Sequence, residues 1–290
     1  MSQSQTIYVS VVGNDMTGDG AFDNPFLTLD RACTLIRSFV NASATLRYVV
    51  NVGAGQFLNQ AVTLSDWTYF FGQSKDATQI SFASVELGPE WTAAGDHSAG
   101  FQDMSISGGC TIDFNAVSSN GGRVRFDDVV FGDQWHLSAF SASNQCLFSN
   151  CFMSAGYTQI GMNVICQDVL SLGDISMTSV NDGRNLPTLG SFVACGLSTL
   201  QLHWSASAGS NPVTASFQGT GQTGALTLDG AQATVNPASN PIAFPGGVTL
   251  LAGAPEPRRS LTGSRGGNAA LATICSQLQA SGGYVDNTVP

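Results

Sequence analysis

A short pattern, apolar–x–x–apolar–x–apolar, returns six times through the middle of this chain of 290 residues. It reads Ala77…Ile80.Phe82, Phe101…Met104.Ile106, Phe126…Val129.Phe131, Phe148…Cys151.Met153, Leu172…Ile175.Met177 and Leu197…Leu200.Leu202, with a looser seventh copy at Leu228…Ala231.Ala233. The six start 24, 25, 22, 24 and 25 residues apart. A fixed period in that range marks a solenoid, whose repeats bury their apolar faces against one another. The last two apolar positions of each copy are two apart, as one face of a strand requires. The third position is Asp103, Asp128, Asn150 or Asp174 in four copies, which suits a bend because these side chains tolerate left-handed backbone. The pattern predicts an all-β chain, a parallel β-helix with one copy per coil, in which Phe101, Phe126, Phe148 and Leu172 share an apolar column.

Charged residues make up only 10% of the chain, against roughly 25% in an ordinary soluble domain. Stacking explains the deficit, because each coil has neighbours above and below and little lateral surface left for charge. A net charge of −10, with Lys75 as the sole lysine, argues against nucleic acid and anionic membrane as partners, since both need clustered Lys and Arg. The seven cysteines (Cys33, Cys110, Cys146, Cys151, Cys166, Cys195 and Cys275) include no C-x-x-C pair. Most stand among apolar neighbours in predicted strands, where a free thiol acts as a small hydrophobe. His97, His136 and His203 lie far apart in sequence, so no zinc pattern emerges, and neither metal nor cofactor is expected. The opening Met-Ser-Gln-Ser-Gln-Thr lacks a basic-then-apolar segment, and no apolar run approaches about 18 residues. The expectation is a soluble chain made in a reducing cytoplasm.

Residues 7–12 read as an opening strand, followed by a polar loop, Gly13-Asn14-Asp15-Met16-Thr17-Gly18-Asp19-Gly20. The acidic stretch from Asn14 to Asp23 lacks the spacing of a calcium loop and reads as a turn held by Asx side chains. A helix is predicted over 28–40, with Leu29, Ala32, Ile36, Phe39 and Val40 on one face and Thr28 or Asn24 as its cap. Tyr48–Val52 reads as a strand, Gly53 to Gly55 as a turn, and 61–71 as another strand region. A strand, a G-x-D loop, Pro-Phe-x-Thr into a helix and then Val-x-Val-x-x-Gly is similar to the opening of the pectate-lyase-like right-handed parallel β-helix superfamily. The resemblance implies that the helix plugs the N-terminal end of the solenoid. Something must do so, because an open last coil exposes strand edges and an apolar core.

Five prolines between Pro237 and Pro257 break the solenoid pattern. Beyond them, Asn268 is a candidate cap, and Leu271, Ile274, Cys275 and Leu278 make an apolar stripe on a short helix ending before Gly282. The strings G-S-R-G-G-N-A-A-L-A and G-x-x-V-D-x-T resemble the C-terminal motif of bacteriophage head-fibre and tail-fibre proteins. That resemblance implies a homotrimer and a place in the virion. A short helix is marginal alone, so Leu271, Ile274 and Leu278 are expected at a threefold contact, with Arg265 and Asp286 at its rim.

Polysaccharide cleavage needs two carboxylates flanking the scissile bond. Asp103, Asp127, Asp128 and Asp174 are the candidates, with Asp133 and Asp168 nearby, and stacking would bring some of them about 4.8 Å apart. Asp103, Asp128 and Asp174 share the turn position that Asn150 also fills, which marks them as structural. Across the six repeat copies Arg123, Arg125 and Arg184 are the few arginines, poor equipment for a polyuronate lyase. Trp67, Trp91, Trp135 and Trp204 are the candidates for stacking on sugars.

The sequence is thus read in three parts: a strand and capping helix over 1–45, the β-helix over 46–235, and a Pro/Gly-rich linker with the fibre-like motif over 236–290. The expected function is a structural protein of a bacteriophage virion, made in the host cytoplasm: a capsid decoration, head fibre or tail appendage. Its expected partners are two further copies of itself, capsid or tail proteins, and host-surface polysaccharide. The alternative is a carbohydrate-active tailspike with Asp103, Asp127 and Asp128 as catalytic acids, and a third is a cellular adhesin.

Overall fold

The computed structural model describes residues 3–39, 45–93, 96–109, 111–114, 121–138, 144–160, 162–178, 188–203, 213–218, 222–229, 233–237, 248–251, 259–264 and 284–289. Side chains beyond Gln201 lie outside the described set. The chain divides into two compact units, Met1–Ser138 with Ser143–Ser154, and Ala139–Ala142 with Ala155–Pro290. Each is built of parallel coils, and the fold is the parallel β-helix that the repeat predicts.

The first unit holds β1 (Gln3–Val9), α1 (Leu29–Ser38), β2 (Leu46–Val52), β3 (Gly55–Leu64), β4 (Thr68–Phe71) and β5 (Thr78–Leu87). They are followed by β6 (His97–Ser107), β7 (Thr111–Asp113), β8 (Gly122–Phe131), β9 (Trp135–Ser138), β10 (Gln145–Ser149) and β11 (Phe152–Met153). One parallel ladder runs β1, β2, β4, β6, β8, β10. A second runs β3, β5, the far half of β6, the far half of β8, then β11. A third face pairs β7 with β9.

Register on the first ladder places Ile7, Val50, Phe70, Phe101, Phe126 and Phe148 in one column. All six are buried. The four phenyl rings stack nearly parallel, with centroids 4.9, 5.3 and 5.2 Å apart. Stacked pairs of this kind add about 0.5–1.5 kcal/mol each beyond the area they bury. Trp135 stands edge-on to Phe126 and Phe131. The second ladder aligns Phe57, Ile80, Ile106, Phe131 and Met153, all buried.

Asp103, Asp128 and Asn150 take left-handed backbone, with φ of 57°, 52° and 52°, as the turn reading requires. The copy that starts at Ala77 is out of phase. Ile80 pairs with Ile106 rather than Met104, Ala77 sits in a turn, and Phe70 occupies the column position instead.

The N-terminal helix is capped by Thr28, whose hydroxyl accepts from the Arg31 amide at 3.2 Å. Leu29, Ala32, Cys33 and Ile36 are buried. Three bonds dock it along the last residues of β3: the Leu29 amide to Gln60 Oε1, the Thr63 amide to Asp30 Oδ1, and the Ser65 hydroxyl to the Cys33 carbonyl. The preceding loop is held by Asx side chains. Asn14 Oδ1 accepts from Met16 and Thr17, Asp19 Oδ1 from Ala21, and the Asp15 carboxylate from Leu27 and Thr28. The opening strand lies earlier than its apolar run suggested, at Gln3–Val9.

The second unit holds β12 (Tyr157–Ile160), β13 (Asn163–Gln167), β14 (Leu170–Thr178), β15 (Thr188–Val193), β16 (Gly196–His203) and β17 (Val213–Gln218). Then come β18 (Gln222–Asp229), β19 (Ala233–Pro237), β20 (Val248–Leu251), β21 (Arg259–Ser264) and β22 (Tyr284–Val289). Parallel ladders run β12, β14, β16, β18, β20 and β13, β15, β17, β19.

Three expectations fail in this unit. Leu172 does not join an apolar column: it is 59% exposed, and Ser171 is the buried residue in register with Leu197. The cause is a bulge that sets Leu172 and Gly173 against a single residue of β16. Gly173 lies so close to the Ala155 backbone that a Cβ there would meet it at 2.0 Å, which bends the strand and turns Leu172 outward. Asp174 is accordingly not a left-handed corner, and Asp168 and Ala194 take that conformation instead, at φ 53° and 54°. The seventh copy is also out of phase, since Leu228 aligns with Leu202.

In the tail, β21 and β22 pair in parallel, with Leu261 opposite Asp286. The helix expected around Leu271, Ile274 and Leu278 lies outside the described residues, as does Arg265.

The described cysteines, Cys33, Cys146, Cys151, Cys166 and Cys195, are buried, as the sequence suggested. Burial pushes the thiols of Cys33 and Cys151 up from 9.0 to about 12, and that of Cys195 to about 11. These thiols are therefore not nucleophiles. Because the folded values are raised, their contribution to stability is complete below pH 9 and is lost as pH rises from there towards 12. Unfolding free energies from urea titrations between pH 8 and pH 10.5 should fall by up to about 1.4 kcal/mol per pH unit for each thiol. Truncating Phe126 to Ala should cost about 3–5 kcal/mol in the same measurement, whereas Leu172→Ala should stay within about 0.5 kcal/mol.

Candidate functional site

Outward positions of the first ladder alternate with the column residues, and register stacks them into rows. One row is Val49, Tyr69, Gly100, Arg125 and Leu147. The next is Asn51, Phe71, Gln102, Asp127 and Ser149. On the other side stand Ser98, Arg123 and Gln145, with Trp67 and Arg47 continuing that row. These rows enclose a cleft of about 350 Å³ lined by Arg47, Trp67, Tyr69, Asp96, His97, Ser98, Arg123 and Arg125 among others. A smaller hollow of about 200 Å³ adjoins it between Tyr69, Phe71, Gly100 and Asp127.

Tyr69 is laid across the neighbouring coil. Its hydroxyl and the Ser98 hydroxyl are 2.8 Å apart, and a Cβ placed on Gly100 would come within 3.1 Å of its ring. Glycine at 100 is thus what lets the ring lean over β6. The Arg47 guanidinium lies 5.7 Å from the Trp67 ring centroid and 5.9 Å from that of Tyr69. Both distances are within reach of a cation–π attraction. Arg125 is paired with Asp127 at 3.1 Å, and Arg123 Nε donates to Gln145 Oε1.

Beneath the cleft a polar anchor fixes the strand entrances. His97 Nε2 donates to the Ala93 carbonyl at 2.8 Å, and its Nδ1 lies 2.6 Å from Asp66 Oδ2. Asp66 Oδ1 accepts from the Trp67 and Ser98 amides, both at 2.8 Å, and the Asp66 amide donates to Glu90. Burial is the largest influence on the Asp66 carboxyl and pushes its pKa up, against the hydrogen bonds from Ser98 and His97. Trp67 is held in left-handed backbone at φ 54°, a costly conformation for a bulky side chain that this anchor over-determines. Asp66→Ala should cost about 3–5 kcal/mol by stranding His97 and two amides. Asp66→Asn, which keeps an acceptor at Oδ1, should cost distinctly less in the same urea unfolding measurement.

Of the tryptophans named as sugar platforms, Trp67 lines the cleft, and Trp204 lies outside the described residues. Trp91 and Trp135 are ruled out. They are 0% and 1% exposed, Trp91 donating to the Leu64 carbonyl and Trp135 packed among phenylalanines.

The acids separate in the same way. Asp103 and Asp128 sit at left-handed corners, Asp128 accepting from Lys75 at 2.8 Å and from Asn150 at 3.2 Å. Asp127 faces outward beside Arg125, and Asp133 Oδ2 accepts from the Gly108 amide. Among the described residues no three His, Cys, Asp or Glu side chains cluster as metal ligands. No described helix is long and apolar enough to cross a membrane.

No protein-family profile and no curated protein sequence matches this chain. Among solved structures, a pectin methylesterase from carrot is similar at 16% identity and a TM-score of 0.38, over 98% of this chain and 88% of that one.

Proposed function

We propose that the protein is a structural component of a bacteriophage virion, a decoration, head fibre or tail appendage, that binds host-surface glycan without cleaving it. The observation that carries the binding reading is the cleft beside Ser98, where Trp67, Tyr69 and Arg47 offer stacking surface and fixed donors on one outward sheet face. Aromatic faces joined to a few convergent polar groups are what a small-ligand site needs. The virion assignment rests on the fibre-like motif of residues 261–289. A homotrimer closed through Leu271, Ile274 and Leu278, with Arg265 and Asp286 at the rim, belongs to the same reading.

The absence of cleavage is supported by what the best-placed acids already do. Asp103 and Asp128 shape corners, and Asp127 is paired with Arg125. The competing reading, a depolymerising tailspike, would require reducing ends or unsaturated products from host polysaccharide, lost on changing Asp127 or Asp128.

Purified protein should retain surface polysaccharide of its host in affinity electrophoresis and release no reducing ends. Tyr69→Ala should weaken that retention at least tenfold, and Gly100→Val, which drives the ring off β6, should do the same. Retention unchanged in both variants would remove the cleft from the proposal. Deleting residues 261–290 should lower the oligomeric state in sedimentation while the coils keep their melting temperature. A full-length protein that sediments as a monomer at micromolar concentration would overturn the trimer.

A further inference from the structure

The cleft carries more positive charge than a neutral sugar would use, in a chain that has 20 acidic residues against 10 basic ones. Six cationic side chains other than histidine fall within the described set: Arg31, Arg37, Arg47, Lys75, Arg123 and Arg125. Three of them, Arg47, Arg123 and Arg125, converge on this one cleft. Of the other three, two are held in ion pairs. Arg37 is paired with Asp30, Lys75 with Asp128, and Arg31 lies over the Phe26 ring.

Within the cleft the occupation differs from residue to residue. Arg125 is matched by Asp127. Arg47 and Arg123 have no carboxylate within 4.0 Å among the described residues. Asp96 is the one acid that lines the cleft, and it forms an ion pair with neither. The two arginines stand on β2 and β8, with the strands carrying Tyr69 and Ser98 between them. Three strand spacings set their backbones about 14 Å apart, with Arg47 lying against the half-buried Trp67 and Tyr69 rings and Arg123 on the far strand, neither guanidinium neutralised by a carboxylate.

We infer that the ligand is an anionic saccharide, lying across the strands with a ring against Tyr69 and its carboxylate or phosphate groups taken by Arg47 and Arg123. A guanidinium fork matches either anion in bidentate fashion and is more weakly hydrated than an ammonium, so it gives up its water readily. This rests on the glycan-binding reading above and adds the charge of the sugar to it. An excess of guanidinium on an otherwise acidic surface also guides an anionic chain to this face and away from the rest.

The test uses the full-length protein in calorimetric titrations at fixed salt. The probes are a glucuronate-containing oligosaccharide, its carboxyl-reduced counterpart, a glycerol-phosphate polymer bearing sugar substituents, neutral dextran and dextran sulfate. The expected result is binding to the glucuronate or the phosphate-bearing probe at least tenfold tighter than to the reduced and neutral ones. Which of the two wins identifies the anion. The double variant Arg47→Gln with Arg123→Gln, both exposed positions, should abolish that preference, and Arg31→Gln should preserve it. Equal affinity for the acidic and the reduced probe would overturn the inference and leave glycan binding standing. Dextran sulfate bound as tightly as the best probe, and equally by the double variant, would overturn it as well, showing unspecific polyanion attraction. Binding to none of the saccharides would remove both readings together.

Discussion

Phe70, Phe101, Phe126 and Phe148 stack face to face only if the strands that carry them pair without a slip. A slip of one residue would exchange inward and outward side chains along the whole strand, breaking three ring stacks and driving Arg123 and Arg125 into the core. The column therefore sets register twice over, through the energy of stacking and through the cost of burying charge. Everything on the outer face inherits its position from that choice. Tyr69 reaches Ser98 and leans over Gly100 because Phe70 sits above Phe101, one residue further along the same two strands.

Where the repeat is regular, the sequence is transparent. Phe101, Phe126 and Phe148 stand at equivalent positions, and the short polar residues two places on from each mark the corners. The periodic reading loses its footing where a coil departs from the common length. A longer excursion containing Pro89–Thr92 separates Phe70 from Phe101, so the apolar residues from Ala77 to Phe82 fit the pattern while belonging to a different part of the coil. At Leu172 the spacing is right and the geometry wrong, because a close backbone approach at Gly173 forces a bulge that no apolar pattern encodes. The coil there presents Ser171 inward, and its hydroxyl turns back to the Gly173 carbonyl.

The cleft was less legible still, for a physical reason. Outward positions carry no periodic signal, since water accepts almost any side chain there, and Arg47, Tyr69, Gly100 and Arg123 are spread over a long stretch of chain. Only the register of four strands brings them together. Tryptophan content was a poor guide, because two of the described indoles fill the interior. Asp66 and His97 could have been noticed as a carboxylate and an imidazole, each just before a strand residue pair of the same ladder. Their partnership, however, depends on which coils stack.

A site assembled from four successive turns of a spring has a mechanical side. Coils of a solenoid hold one another only through their neighbours, so they come apart turn by turn from an end. Whatever grips both margins of this cleft runs across the strands and links turns that otherwise meet only in pairs. Pulling on such a ligand loads the stack in shear across many hydrogen bonds at once instead of peeling one strand at a time. On the glycan-binding proposal, the grip of this face and the integrity of the coils beneath it would be one quantity, and a tether held here would brace the very turns it loads.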